Sequence, residues 1–152
     1  WRPGWGCKQS SYANGQFRTA PRRVTVAGEM TPTRIALVDD EASVRKALGR
    51  LLRMADYEVQ AYASGEEFLS ALGDCMPDCA VLDIHLPGLT GIQVQMRLQA
   101  DHVQLPVVFI TASDSSDIGR SALQAGGLRV LRKPFSSQEL LASIVFALRT
   151  VS

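Results

Sequence analysis

Five short apolar runs, each followed by an amphipathic stretch, constrain what this chain can fold into. Arg34 to Val38 (RIALV) closes in Asp39-Asp40, Cys79 to Leu82 (CAVL) in Asp83, Val107 to Ile110 (VVFI) in Thr111, and Leu128 to Leu131 (LRVL) near Lys133-Pro134; Glu58 to Ala63 is the fifth. Runs this short, rich in branched residues, read as strands buried on both faces. Between them, Glu41 to Ala55 sets Val44, Ala47, Leu48, Leu51, Leu52 and Ala55 at helical spacing, with Arg45, Lys46, Arg50 and Arg53 on other faces. Further helices are predicted from Ser64 to Leu72, Thr90 to Asp101, Ser115 to Ala125 and Ser136 to Thr150, the last with Leu140, Leu141, Ile144, Val145 and Leu148 on its apolar face. Ser64 with Glu67 has the form of a capping box, and Gly126-Gly127 stops the fourth helix. Strands alternating with helices predict the α/β class: a doubly wound, five-stranded parallel sheet with five helices.

In such a sheet, ligands bind outside the carboxyl ends of the strands. Four of the five runs deliver a polar residue there: Asp39 and Asp40, Asp83, Thr111, and Lys133. Each alone has an ordinary explanation, since acidic residues favour a helix start and strand ends are often polar. Their joint placement argues for a site. Crowded carboxylates raise one another's pKa unless a cation stands among them, and hard oxygen ligands suit Mg²⁺ better than zinc. With Mg²⁺, the Lys133 ammonium and the Thr111 hydroxyl, this edge is equipped to stabilise a transferring phosphoryl group, one aspartate being the acceptor.

Composition excludes other classes. The chain has 152 residues, 46% hydrophobic and 20% charged, which suits one domain with a core. Its net charge is only +1, so this chain is not expected to bind nucleic acid itself. No apolar run approaches the roughly 18 residues of a membrane span. Residues 1–30 set five basic residues against Glu29, a net +4, which leaves −3 for residues 31–152. That first stretch holds both tryptophans but no apolar periodicity and no signal-peptide core. Residues 1–30 are read as a leader or expression-derived extension outside the fold, and residues 31–152 as the domain. Cys7, Cys75 and Cys79 are an odd number without framework spacing, which points to a reducing cytoplasm. Cys75 and Cys79 with His85 fit no common zinc pattern, so these two thiols are read as small buried or half-buried groups.

The segments VDDEASVRKAL (38–48), VLDIHLPGLTGI (81–92), VVFITA (107–112) and AGGLRVLRKPF (125–135) resemble the receiver domain of bacterial two-component response regulators. The resemblance covers about residues 33–150 and implies a CheY-like, flavodoxin-like fold. It implies that Asp83 is the phosphoacceptor, and that Asp40, Asp83 and the backbone carbonyl of His85 bind Mg²⁺ directly while Asp39 acts through a metal-bound water. It also implies that Thr111 bonds a phosphoryl oxygen, that Lys133 pairs with it, and that Lys133-Pro134 is cis. The implied donor is a histidine kinase or a histidine phosphotransfer domain, in the cytoplasm. SGEEFLSAL, DIHLPGLTGI and KPFSSQELLASI are similar to receivers of the FixJ type. Such a domain either stands alone or belongs to a longer regulator, and the FixJ-like pattern favours the second.

Two departures bear on output. Val130 stands where the family usually has Tyr or Phe, and Arg129 beside it, with Arg132, stands where an acidic partner is common. A homodimer formed on phosphorylation stays open, but the winged-helix mode of pairing is not expected. His85 is either a modulator of phosphate lifetime or an exposed loop histidine; His102 reads as surface. Two rival functions remain. A phosphohydrolase of the haloacid-dehalogenase type would place a DxD pair after the first strand and carry a cap insertion, and neither is present. A binding module without phosphoryl chemistry would fail to bind Mg²⁺. Otherwise the domain is regulatory rather than an enzyme, limited to self-phosphorylation from small donors and slow loss of its own phosphate.

Overall fold

The apolar runs become the strands of one parallel sheet. The computed structural model describes residues 22–24, 28, 30–74 and 76–151. β1 (Arg22–Val24) and β2 (Met30–Pro32) form an antiparallel ladder of their own. Then follow β3 (Arg34–Val38), α1 (Ala42–Met54), β4 (Glu58–Tyr62), α2 (Gly65–Ala71), β5 (Cys79–Asp83), α3 (Gly91–Ala100), β6 (Val107–Thr111), α4 (Ser116–Gln124), β7 (Arg129–Arg132) and α5 (Ser137–Val151). The main sheet runs β4-β3-β5-β6-β7, every neighbouring pair parallel. The β1–β2 ladder straddles the boundary placed at residue 30, where periodicity gave no sign of a strand.

Side-chain alternation along each strand supplies two cores. Ala36, Val38, Ala80, Leu82, Val107 and Phe109 face one side, where Phe68, Val94, Leu98 and Ala122 from α2, α3 and α4 cover them. Ile35, Leu37, Val81, Val108 and Ile110 face the other, under Leu52 of α1 and Leu140, Ile144 and Ala147 of α5. β5 and β6 are buried along their whole length, as central parallel strands require. Of the expected α1 face, Leu52 and Ala55 are buried, while Ala47 lies exposed.

The helix starts are set by local chemistry. Ser64 Oγ accepts the Glu67 N–H at 3.2 Å, but the Glu67 carboxylate accepts from Ala63 rather than from Ser64 itself. Reciprocal capping boxes form at Thr90–Gln93 and, between Ser136 and Glu139, ahead of α5. α1 and α3 are followed by residues with positive φ, Asp56 and His102, so His102 turns the chain out of α3 and is exposed.

Gly91 opens α3 against β5: a Cβ there would collide with the Asp83 carbonyl oxygen. Gly119, inside α4, faces open space. Helix propensity favours Ala over Gly by up to about 1 kcal/mol, so Gly119→Ala should raise stability by about that amount. Gly91→Ala should instead lower it by about 1–3 kcal/mol, because the strand end must move. Urea denaturation of both variants checks this contrast; a stabilised Gly91→Ala protein would contradict the close approach.

Candidate functional site at the carboxyl edge of the sheet

The chain winds from β3 outward to β4, then returns to lay β5 on the other side of β3. That reversal opens a crevice beyond the ends of β3 and β5, the usual ligand position in such sheets. Val38 pairs with Leu82, so Asp39 and Asp83 leave the sheet side by side. The structure brings Asp39, Asp40 and Asp83 together, one carboxylate oxygen from each lying within 4.8 Å of the others.

The three carboxylates are held differently. Asp39 is fully buried; its Oδ1 accepts the Glu41 N–H at 2.9 Å and its Oδ2 the Lys133 ammonium at 3.0 Å. Asp83 is also buried; its Oδ1 accepts the His85 N–H at 2.9 Å and its Oδ2 the same ammonium at 3.2 Å. Asp40 is exposed, and its carboxylate accepts no hydrogen bond among the described residues. One ammonium thus bridges two carboxylates while the third faces solvent.

Lys133 reaches them from just past β7, two strands beyond β5. Its backbone N–H donates to the Thr111 carbonyl at 2.7 Å, which fixes Lys133 beside the end of β6. Thr111 is buried and ends β6 one residue beyond Ile110, the register partner of Asp83. Its hydroxyl oxygen accepts the Ser113 N–H at 3.0 Å, shaping the loop that follows. The Lys133-Pro134 peptide is cis. The His85 side chain is exposed, and its share in the site comes through its backbone.

Burial pushes the Asp83 carboxyl above its usual value and the Asp39 charge adds to this, against the pull of the His85 N–H and Lys133. Burial disfavours the Lys133 ammonium, but its bond to Asp39 and the charges of Asp83 and Asp39 outweigh that and raise its pKa. Three carboxylates facing one ammonium leave the crevice negative. The donor set is oxygen alone, which fits a hard divalent cation. Cys79 belongs to no such set: its thiol is buried, and burial pushes its pKa up to about 12, the Asp78 charge adding to this. Cys7 and Cys75 lie outside the described residues.

Two contacts escaped the sequence reading. Arg45 Nη1 donates to the Asp39 carbonyl oxygen at 2.7 Å, clamping the turn that carries both aspartates. By helical spacing it could not be told from Lys46 or Arg50, which share its polar side. Glu66 reaches from α2 to the loop after Asp83, where its Oε1 accepts the Leu89 N–H at 2.7 Å. Nothing local in the sequence marks a bond across 23 residues.

A doubly wound domain with an acidic, lysine-bridged switch point is one class of α/β protein, and the comparisons narrow it. The family model described as the response regulator receiver domain matches residues 35–145. The transcriptional regulatory protein TdiR of Thauera aromatica is 35% identical over 114 residues, which cover 75% of this chain and 50% of TdiR. The response regulator MprA of Mycobacterium sp. (strain KMS) is 38% identical over 121 residues, covering 80% of this chain and 53% of MprA. The solved structure of FixJ-N superposes with a TM-score of 0.75 at 27% identity, covering 81% of this chain and 98% of that one. The chain belongs to the response regulator receiver domains. It spans about half the length of the curated relatives it matches.

The excess of buried negative charge makes a prediction for the metal-free protein. Asp83→Asn should raise stability at pH 7 in EDTA, because it removes a charged group from a buried place. The folded chain holds a proton on Asp83 more tightly than the unfolded chain does, so stability falls as pH rises from the usual 3.8 through the raised value. The gain from Asp83→Asn should therefore fade towards pH 3.8. Lys133→Met should instead lower stability by about 3 kcal/mol, since it leaves two buried carboxylates unpaired. Denaturant titrations across pH read both signs.

Proposed function

We propose that Asp83 accepts a phosphoryl group from a phosphohistidine donor, and that the domain changes its contacts with partners as a result. The observation that carries this reading is the Lys133 ammonium, 3.0 Å from Asp39 and 3.2 Å from Asp83, at the crevice where the strand order reverses. An Asp83 oxygen forms the bond to phosphorus as the P–N bond of the donor imidazole breaks. The product is an acyl phosphate, and the released imidazole takes up a proton. Lys133 keeps a positive charge beside the oxygen that changes partner, and Thr111, one residue past the register partner of Asp83, supplies a hydroxyl.

Mg²⁺ fits the oxygen-only donor set, with Asp40, Asp83 and the His85 carbonyl as direct ligands and Asp39 acting through a water. Once bound there, it would neutralise charge on the phosphoryl oxygens. The exposed carboxylate of Asp40, which accepts no hydrogen bond among the described residues, suits a direct role. The donor in this reading is a histidine kinase or a histidine phosphotransfer domain, in the cytoplasm, and the domain is regulatory rather than a turnover enzyme.

In acetyl phosphate and Mg²⁺ the intact protein should gain one phosphoryl mass and Asp83→Asn should not; equal labelling of the variant would overturn the assignment. In a Mg²⁺ titration, Asp40→Ala should weaken binding more than Asp39→Ala, and the reverse order would count against the ligand placement.

Val130 shapes the response. It is half-buried against the core of α2, α3 and α4, and a β-branched side chain has little rotamer freedom. The Arg129 guanidinium beside it lies 4.0 Å from the Phe146 ring centre on α5. Beryllofluoride should therefore shift backbone amides mainly in the loop after Thr111 and the start of α4. Shifts around Val130 and α5 as large as those at residues 111–117 would show that the missing aromatic ring is unimportant.

A further inference from the structure

The start of α2 is bolted to the loop that follows Asp83. Glu66 Oε1 accepts the Leu89 N–H at 2.7 Å. Gly88 has φ +72, and a Cβ there would run into the same Glu66 carboxylate. Gly65 meets the loop too: a Cβ on it would collide with Val94 Cγ2 of α3 and lie 3.4 Å from the Leu89 carbonyl oxygen. At its other end the loop is tied to β5, because the Gly91 N–H donates to the Ile84 carbonyl at 2.9 Å and Gly91 rests on the Asp83 carbonyl. Between these anchors the His85 N–H donates to Asp83 Oδ1 at 2.9 Å. The segment that presents the His85 backbone to Asp83 is therefore fixed on one side by β5 and on the other by one carboxylate from a different helix.

We propose that Glu66 is a positioning residue for the site: by accepting the Leu89 N–H it holds the β5–α3 loop so that the His85 backbone stays in register with the Asp83 carboxylate. Glu66 touches neither the phosphoryl group nor a metal ligand side chain, and acts only through the loop. Leu89 supplies the largest pull on the Glu66 carboxyl, which lies below its usual value, so the bond is made by the ionised acceptor, the stronger kind. This inference rests on Asp83 being the phosphoacceptor.

The test compares Glu66→Ala and Glu66→Gln with the unaltered chain. Glu66 is exposed, so both variants should fold. Partners one step outside a metal or catalytic ligand set commonly change affinity or rate by about 10–100-fold, and a residue acting through a loop should fall near the lower figure. Glu66→Ala should label with acetyl phosphate about tenfold more slowly and bind Mg²⁺ more weakly. Its His85 and Leu89 amide resonances should move. Glu66→Gln should stay within about twofold, because the carboxamide oxygen still accepts from Leu89. Wild-type labelling and Mg²⁺ affinity in Glu66→Ala would overturn the proposal. So would a Glu66→Gln protein as impaired as Glu66→Ala, which would make charge rather than the hydrogen bond the cause. If the unaltered chain takes no phosphoryl group on Asp83, the phosphoacceptor reading falls by itself. The His85 amide position and the Mg²⁺ titration then still decide whether Glu66 holds the loop.

Discussion

Asp39 and Asp83 leave neighbouring strands side by side, both out of water, and a single ammonium stands between them. Two like charges in a low-dielectric crevice repel strongly, so without Lys133 the carboxyl ends of β3 and β5 would be pushed apart or forced to take up a proton. Lys133 comes from beyond β7, and its long side chain spans the end of β6 to reach both carboxylates. The bridge therefore exists only if four strands lie in the right order and register. A slip of one residue in any of them would turn its side chains to the other face. Sheet and site are one constraint, because the register that buries Val38, Leu82 and Ile110 also brings Asp39, Asp83 and Thr111 to the same edge.

The edge is finished by backbone contacts that leave no room for error. Gly91 lets α3 start against the Asp83 carbonyl, where any side chain would intrude. Arg45 holds the turn before α1 through the Asp39 carbonyl, and the Glu41 and His85 N–H groups each cap one aspartate. These groups lie close in sequence to the carboxylates they serve, so the turns preorganise the acids before any ligand arrives.

The arrangement is not the most stable one available. Three carboxylates share one ammonium, and burial, with the Asp39 charge adding to it, raises the Asp83 pKa. A site built for stability would carry an amide or a second cation in place of one acid. Functional sites commonly keep such an imbalance, because the ligand supplies what is missing. The exposed Asp40 is the clearest sign of it: in a crevice whose other two acids are fully engaged, its carboxylate faces solvent with its oxygens free.

Periodicity and strand-end chemistry were enough to read the class of fold, the order along the chain of the five strands of the main sheet and the five helices, and which residues reach the carboxyl edge. Those properties are local: strand alternation and helical spacing are written into neighbouring residues, and Asp39, Asp40, Asp83, Thr111 and Lys133 each follow an apolar run. The β1–β2 ladder was not legible, since Arg22–Val24 carries no apolar pattern. How each acid is buried and bonded was not legible either, nor were the bonds from Arg45 to Asp39 and from Glu66 to Leu89. Arg45 is one of several arginines on a polar helix side, and Glu66 one of two adjacent glutamates. What separates Arg45 from Arg50, or Glu66 from Glu67, is where another segment's backbone comes to lie, and that is decided only when the helices pack on the sheet.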